Sequence, residues 1–125
     1  MKERRINMSE IDFSLIENFK TLIRNAMIFT ERSHDYIFDD NVDNSVAIAY
    51  LNVAASKFAA AEALYYSRLD GLERDEAEQI FHLFDVYMNE LLTNVRTSHS
   101  HQWTDIEYNQ LKECFDYSAF AFENK

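Results

Sequence analysis

The stretch Ala77-Glu78-Gln79-Ile80-Phe81-His82-Leu83-Phe84-Asp85-Val86-Tyr87-Met88-Asn89-Glu90-Leu91-Leu92-Thr93-Asn94-Val95 decides the fold class. Ala77, Ile80, Phe81, Phe84, Tyr87, Met88, Leu91 and Val95 return at steps of three and four, the spacing that lines one face of an α-helix. Glu73, Asp75, Glu76 and Glu78 gather near its start, where the helix dipole is positive and favours carboxylates. An amphipathic helix ordered to about Val95 is therefore expected.

The same periodicity extends to both sides. Upstream, Ser45 suits an N-cap for a helix carrying Ala47, Ile48, Leu51, Ala54, Ala55, Phe58, Ala59, Glu62 and Ala63 on its buried face, and Gly71 of Asp70-Gly71 suits a left-handed C-cap. So many alanines allow close backbone approach, which makes this the helix expected to be most buried. Further upstream, Ile16, Phe19, Ile23, Ala26 and Met27 mark a first helix from an N-cap at Ser9 to about Arg32. Residues 1–8 then read as a flexible leader to a single helical domain, 9–125, and His34 to Asn44 as the longest loop, rich in acid and turn formers. Downstream, Thr104-Asp105-Ile106-Glu107 matches a capping box for a last helix with Leu111, Cys114, Phe115, Ser118 and Phe122 on its inner side. The fold class expected is all-α: a single-domain four-helix bundle, or a variant with one helix splayed by the acidic loop.

Composition points the same way. The chain has 125 residues, 47% of them hydrophobic, with Phe 10 and Tyr 7, which is enough apolar material for one independently stable core. Pro 0 and Gly 1 leave few residues for hairpins and tight loops, and Gly71 alone cannot supply a glycine-rich phosphate-binding loop. A formal net charge of −10 opposes general nucleic-acid or anionic-membrane binding and suits a basic partner surface. Cys114 is the sole cysteine, so neither an intramolecular disulfide nor a cysteine-based zinc site can form. No apolar run reaches the roughly 20 residues of a membrane span, and a cytoplasmic location is expected.

One segment stands apart from solvated faces and apolar stripes. Val95-Arg96-Thr97-Ser98-His99-Ser100-His101-Gln102-Trp103-Thr104 puts an arginine, two histidines and the only tryptophan at a join between two helices. A guanidinium can hold a phosphate with two donors while a histidine near neutral pKa moves a proton to or from a ribose hydroxyl. Arg96, a four-residue spacer and His101, set late in a small helical chain, resemble the HEPN superfamily of helical domains. That resemblance implies a HEPN-like bundle, homodimerisation, and either a metal-independent endoribonuclease or its inactive toxin–antitoxin partner. It casts His101 in proton transfer and Arg96 in charge stabilisation, with RNA as substrate. Thr97 stands where many active members carry asparagine, and no glycine follows His101.

Other chemistries find fewer residues. His99, His101 and Asp105 form an incomplete metal set, with His82 roughly 20 Å of helix away. The Glu31-Arg32-Ser33-His34 spacing is a single copy of a motif that di-iron bundles need twice. No metal or cofactor is therefore expected. Ser98 and Ser100 lack a strained elbow, Cys114 lies on an apolar stripe, and Glu62 can snorkel from the bundle edge. Trp103 offers a binding surface or a staple over the end of the core. The reading preferred on balance is a non-enzymatic acidic module that binds a protein, such as a basic nucleic-acid-binding one, as regulator or inhibitor. Its expected binding residues are His99, Trp103, Asp35, Asp39, Asp40 and Asp43. Small acidic helical proteins of this kind resemble phage- or mobile-element-encoded regulators linked to defence systems.

Overall fold

The described residues of the computed structural model form four helices: α1 (Lys2–Phe38), α2 (Asn44–Arg68), α3 (Asp75–Thr97) and α4 (Gln102–Asp116). The structure describes residues 2–38, 42–68, 75–97 and 101–121, with side chains of α1 described over 13–37. No strand occurs among the described residues, and the architecture is the expected all-α four-helix bundle.

Each helix buries positions at alternating steps of four and three. In α1 these are Phe19, Ile23, Ala26, Thr30, Ser33 and Ile37; in α2, Ala47, Leu51, Ala54, Phe58, Ala61 and Tyr65. Ile80, Phe84, Tyr87, Leu91 and Asn94 continue the pattern in α3, and Thr104, Tyr108, Leu111 and Phe115 in α4. Two buried positions in every seven is the repeat of helices that pack side by side at shallow angles. Phe19 anchors one end of the core, stacked on Tyr65 at 5.6 Å and edge-on to Phe81 at 6.2 Å and Phe120 at 5.3 Å.

Close backbone approach is concentrated between α1 and α2 and between α3 and α4, so the bundle is two helical hairpins laid against each other. Counting inward from the Phe19–Tyr65 contact places Ile23 level with Ala61, Ala26 with Phe58, Ser33 with Leu51 and Ile37 with Ala47. These four layers set a large side chain opposite a small one, and the same count puts Thr30 level with Ala54, small on both sides, which is what lets the two backbones come close. The seam runs through Ala47, Ala54 and Ala61; Ala59 and Ala63, expected on the buried face, are exposed. Alanine occurs all round α2, and the large residues Leu51, Phe58 and Tyr65 decide which side faces inward.

Several boundaries differ from expectation. The first helix continues past Arg32 to Phe38, because Ser33 and Ile37 extend its buried seam and Tyr36 stacks on Tyr50 at 5.7 Å. Its start lies at Lys2, so Ser9 sits within the helix instead of capping it, and residues 2–8, read as a leader, belong to α1. The cap of α2 is Asp43 and not Ser45: the Asp43 carboxylate accepts the Val46 N–H at 3.2 Å and its carbonyl accepts the Ala47 N–H at 2.9 Å. Asp70, Gly71 and Phe122 lie outside the described residues.

Beyond α4 the chain turns back toward the first helix. Arg24 Nε donates to the Phe120 carbonyl at 2.9 Å and its Nη2 to that of Ala121 at 3.1 Å, while the Phe120 ring is buried against Phe19. This short strap closes the end of the bundle opposite the α3–α4 turn.

Candidate functional site

The start of α4 is held by polar contacts on both sides. Toward α3, the helical register sets Glu90 and Asn94 one turn apart on the side facing α4. Asn94 Nδ2 donates to Glu90 Oε2 at 3.1 Å and to Thr104 Oγ1 at 2.9 Å, which uses both amide hydrogens. Thr104 is fully buried, and its hydroxyl also lies 3.3 Å from His101 Nδ1. His101 occupies the N-cap position of α4, with its carbonyl accepting the Asp105 N–H at 2.9 Å. Burial lowers the His101 pKa from its ordinary value, since the partly desolvated imidazolium is disfavoured.

Thr104 is thus not the outer half of a capping box with Glu107. It lies in the first turn of α4, facing inward, and α4 starts two residues before the expected cap. A local pattern of Thr-x-x-Glu cannot register that Asn94, ten positions earlier, offers Thr104 a buried partner.

Toward α1, His34 Nε2 donates to Asp105 Oδ1 at 2.8 Å, and the imidazole stacks on Tyr108 at 4.0 Å with 15° between the ring planes. Behind this pair, Ser33 Oγ donates to the Thr30 carbonyl at 2.6 Å. With that hydrogen used, the Tyr87 hydroxyl is the donor in its 2.6 Å bond to Ser33. Burial raises the Tyr87 pKa, and burial followed by the charges of Glu31, Asp35 and Asp116 raises that of Tyr108, so both phenols stay protonated. His34 and Asp105 are 71 positions apart, which is why the sequence did not single out the pair. Asp105, weighed as a metal ligand beside His99 and His101, is bonded to His34.

The expected site residues fall in different places. Arg96 is an exposed residue in the last turn of α3, so the break between helices is shorter than the segment Arg96–Trp103 suggested. His101 is half-buried at the start of α4, and Trp103 is 61% exposed, a position that leaves it no role as a staple over the core. Asp35 is exposed on α1 instead of in a loop, and the carboxylate of Asp43 is engaged as a helix cap. His99, Asp39 and Asp40 lie outside the described residues.

Along the outer side of α4 the surface is concave. One open furrow of about 450 Å³ is lined by Asn109, Lys112, Glu113, Asp116 and Tyr117. A second, also about 450 Å³, shares Glu113 and Tyr117 and reaches Glu76, Gln79 and Leu83 on α3. A smaller depression of about 120 Å³ lies on the α1 side, between Glu31, Lys112 and Asp116. Cys114 lines the second furrow; burial and then the Glu76 charge raise its pKa, which keeps it a thiol. Glu62, half-buried on α2, has its pKa raised by burial and by Asp85. No helix among the described residues is long and apolar enough to cross a membrane.

Comparison with family models, curated proteins and solved structures finds no match to this chain.

Proposed function

We propose that this chain is a non-catalytic protein-binding module, an acidic helical bundle that regulates or inhibits a basic protein partner. The observation that carries this reading is the pairing of exposed aromatic rings with a strongly acidic surface. Tyr117 is 83% exposed, Trp103 61% and Tyr66 55%, on a chain of net charge −10. Large rings held in water lose little rotamer freedom on binding and bury much area, and they anchor many protein interfaces. The surrounding carboxylates steer basic surfaces toward them and repel phosphate backbones. Affinity capture by the tagged chain from lysate of its own source, at low and high salt, tests the reading. A specific basic protein that is retained at low salt and released as screening increases supports it. Capture of nothing beyond background at either salt overturns it.

A second reading has its own support. Arg96 lies in the last turn of α3 and His101 at the start of α4, and a histidine whose pKa is lowered is neutral at pH 7 and able to accept a proton, as the HEPN-like resemblance requires. Under that reading the chain is a metal-independent endoribonuclease that acts as a homodimer. Purified protein incubated with mixed RNA and chelator distinguishes the two: cleavage lost in Arg96→Ala and His101→Ala variants that still fold supports the enzyme, and intact RNA at high protein concentration rules it out.

A further inference from the structure

The two furrows beside α4 have an occupant defined by their charge. α4 is 15 residues long against 23 for α3, and the chain turns back at Tyr117, so this side of the bundle is left grooved. Glu76, Glu113 and Asp116 line the furrows, and the one cation among the described lining residues, Lys112, is paired with Asp116 at 2.8 Å. Leu83 and Cys114, each partly buried, add an apolar strip between the carboxylates.

Tyr117 stands where the two furrows meet, and its backbone is fixed while its ring is in water. Its N–H is bonded to the Glu113 carbonyl at 3.2 Å, and the Ser118 N–H to that of Phe115 at 3.0 Å. The Ala119 N–H reaches Glu76 Oε1 at 3.3 Å, and Arg24 holds the two carbonyls that follow. The point from which the ring projects is thus fixed, and less backbone ordering remains to oppose binding.

We infer that this grooved surface, centred on Tyr117, binds an arginine-bearing segment of a protein partner. The inference rests on the protein-binding reading above and places its contact surface. One guanidinium pairs with Glu113 through its forked donors, Glu76 adds negative charge nearby while its Oε1 holds the Ala119 N–H, another guanidinium lies against the Tyr117 ring, and apolar side chains from the same segment cover Leu83. Phosphate-bearing polymers and anionic lipid surfaces are repelled by the same carboxylates.

The test uses the full chain and two labelled synthetic helical peptides of equal length, one with arginines flanking a leucine stripe on the same face, the other with glutamate replacing each arginine. Anisotropy measures affinity, and amide chemical shifts map the contact. The arginine peptide is expected to bind and the glutamate peptide not, with shifts concentrated over residues 109–118. Tyr117→Ala and Glu113→Lys, both at exposed positions, each weaken binding about tenfold, as for an interface anchor. Asp85→Lys, an exposed charge reversal on the side of α3 near Glu62, changes it less than about twofold. Equal weakening by Asp85→Lys and Glu113→Lys overturns the assigned surface, because the attraction is then net charge alone. Shifts centred on the Arg96–Trp103 turn also overturn it while leaving the protein-binding reading intact. Binding of neither peptide overturns the surface; the lysate capture then decides the broader reading separately.

Discussion

His34 on α1 reaches across the bundle to Asp105 on α4, Nε2 to Oδ1 at 2.8 Å, and its ring lies flat on Tyr108. One side chain thereby ties the first hairpin to the second through both a charge-assisted hydrogen bond and a stacked ring. His34→Ala is expected to lower stability by about 1–2 kcal/mol, since it removes the stack and the bond together. Asp105→Ala, at a more exposed and better screened position, costs about 1 kcal/mol or less. Denaturant titration of both variants and the double variant measures the coupling, and strict additivity would show that the bond contributes nothing.

Asn94 and Thr104 make a different kind of contact, buried and local to the α3–α4 turn. Thr104→Val preserves shape but removes the acceptor, leaving one Asn94 amide hydrogen unsatisfied, at a cost of about 1–3 kcal/mol. Combining it with Asn94→Leu recovers part of that loss, because no orphaned donor then remains. Thermal melts of the two singles and the double check the order; a double variant less stable than the sum of the singles contradicts this account.

The depressed pKa of His101 makes a pH prediction with a definite sign. Below the ordinary value of 6.5 the unfolded chain takes up a proton on this group more readily than the folded one, so its contribution favours folding above that pH and is lost as pH falls toward the folded pKa. His101→Gln removes that component, and the stability of the variant falls less steeply between about pH 7 and about pH 5 than that of the wild type. Urea unfolding at a series of pH values gives the two slopes.

The alanine seam of α2 can be read out by size. Ala54→Leu forces three extra carbons into a fully buried position between close-packed helices and is expected to destabilise by about 1–3 kcal/mol. Ala63→Leu, on the exposed side, stays within about 0.5 kcal/mol. The reverse ranking in thermal melts would move the seam to the other alanines.

Much of the bundle was legible because large apolar residues mark a helical face without help from context. Ala77, Ile80, Phe81, Phe84, Tyr87 and Leu91 of the α3 stripe, and Leu111 and Phe115 on α4, are buried as their spacing predicts, while Met88 and Val95 are partly buried against the core. The reading failed where small or polar residues carry the seam. Ser33 near the end of α1 looks like a turn former until Tyr87, 54 positions on, supplies its partner, and the helix expected from the sequence stops short accordingly. Asp43 reads as part of an acidic binding loop, although an aspartate three residues before Val46 is equally a cap for the helix that follows. At the candidate site, the composition of the Arg96–Trp103 segment was visible but its geometry was not. The Tyr117 surface had no signal of its own, since a tyrosine near the end of a helix is indistinguishable from a core residue until the chain is seen to turn.

The two-hairpin construction also bears on how the molecule assembles in time. The closest backbone neighbours are helices adjacent in the chain, so each hairpin closes only a short loop and can form early and quickly. The Arg24 bonds to Phe120 and Ala121 join residues 96 and 97 positions apart. That fastening closes a far longer stretch of chain than either hairpin does, and its loop-closure entropy is correspondingly larger. The strap that follows Tyr117 therefore depends on both hairpins being docked, because Arg24 belongs to the first and Phe120 and Ala121 continue from the second.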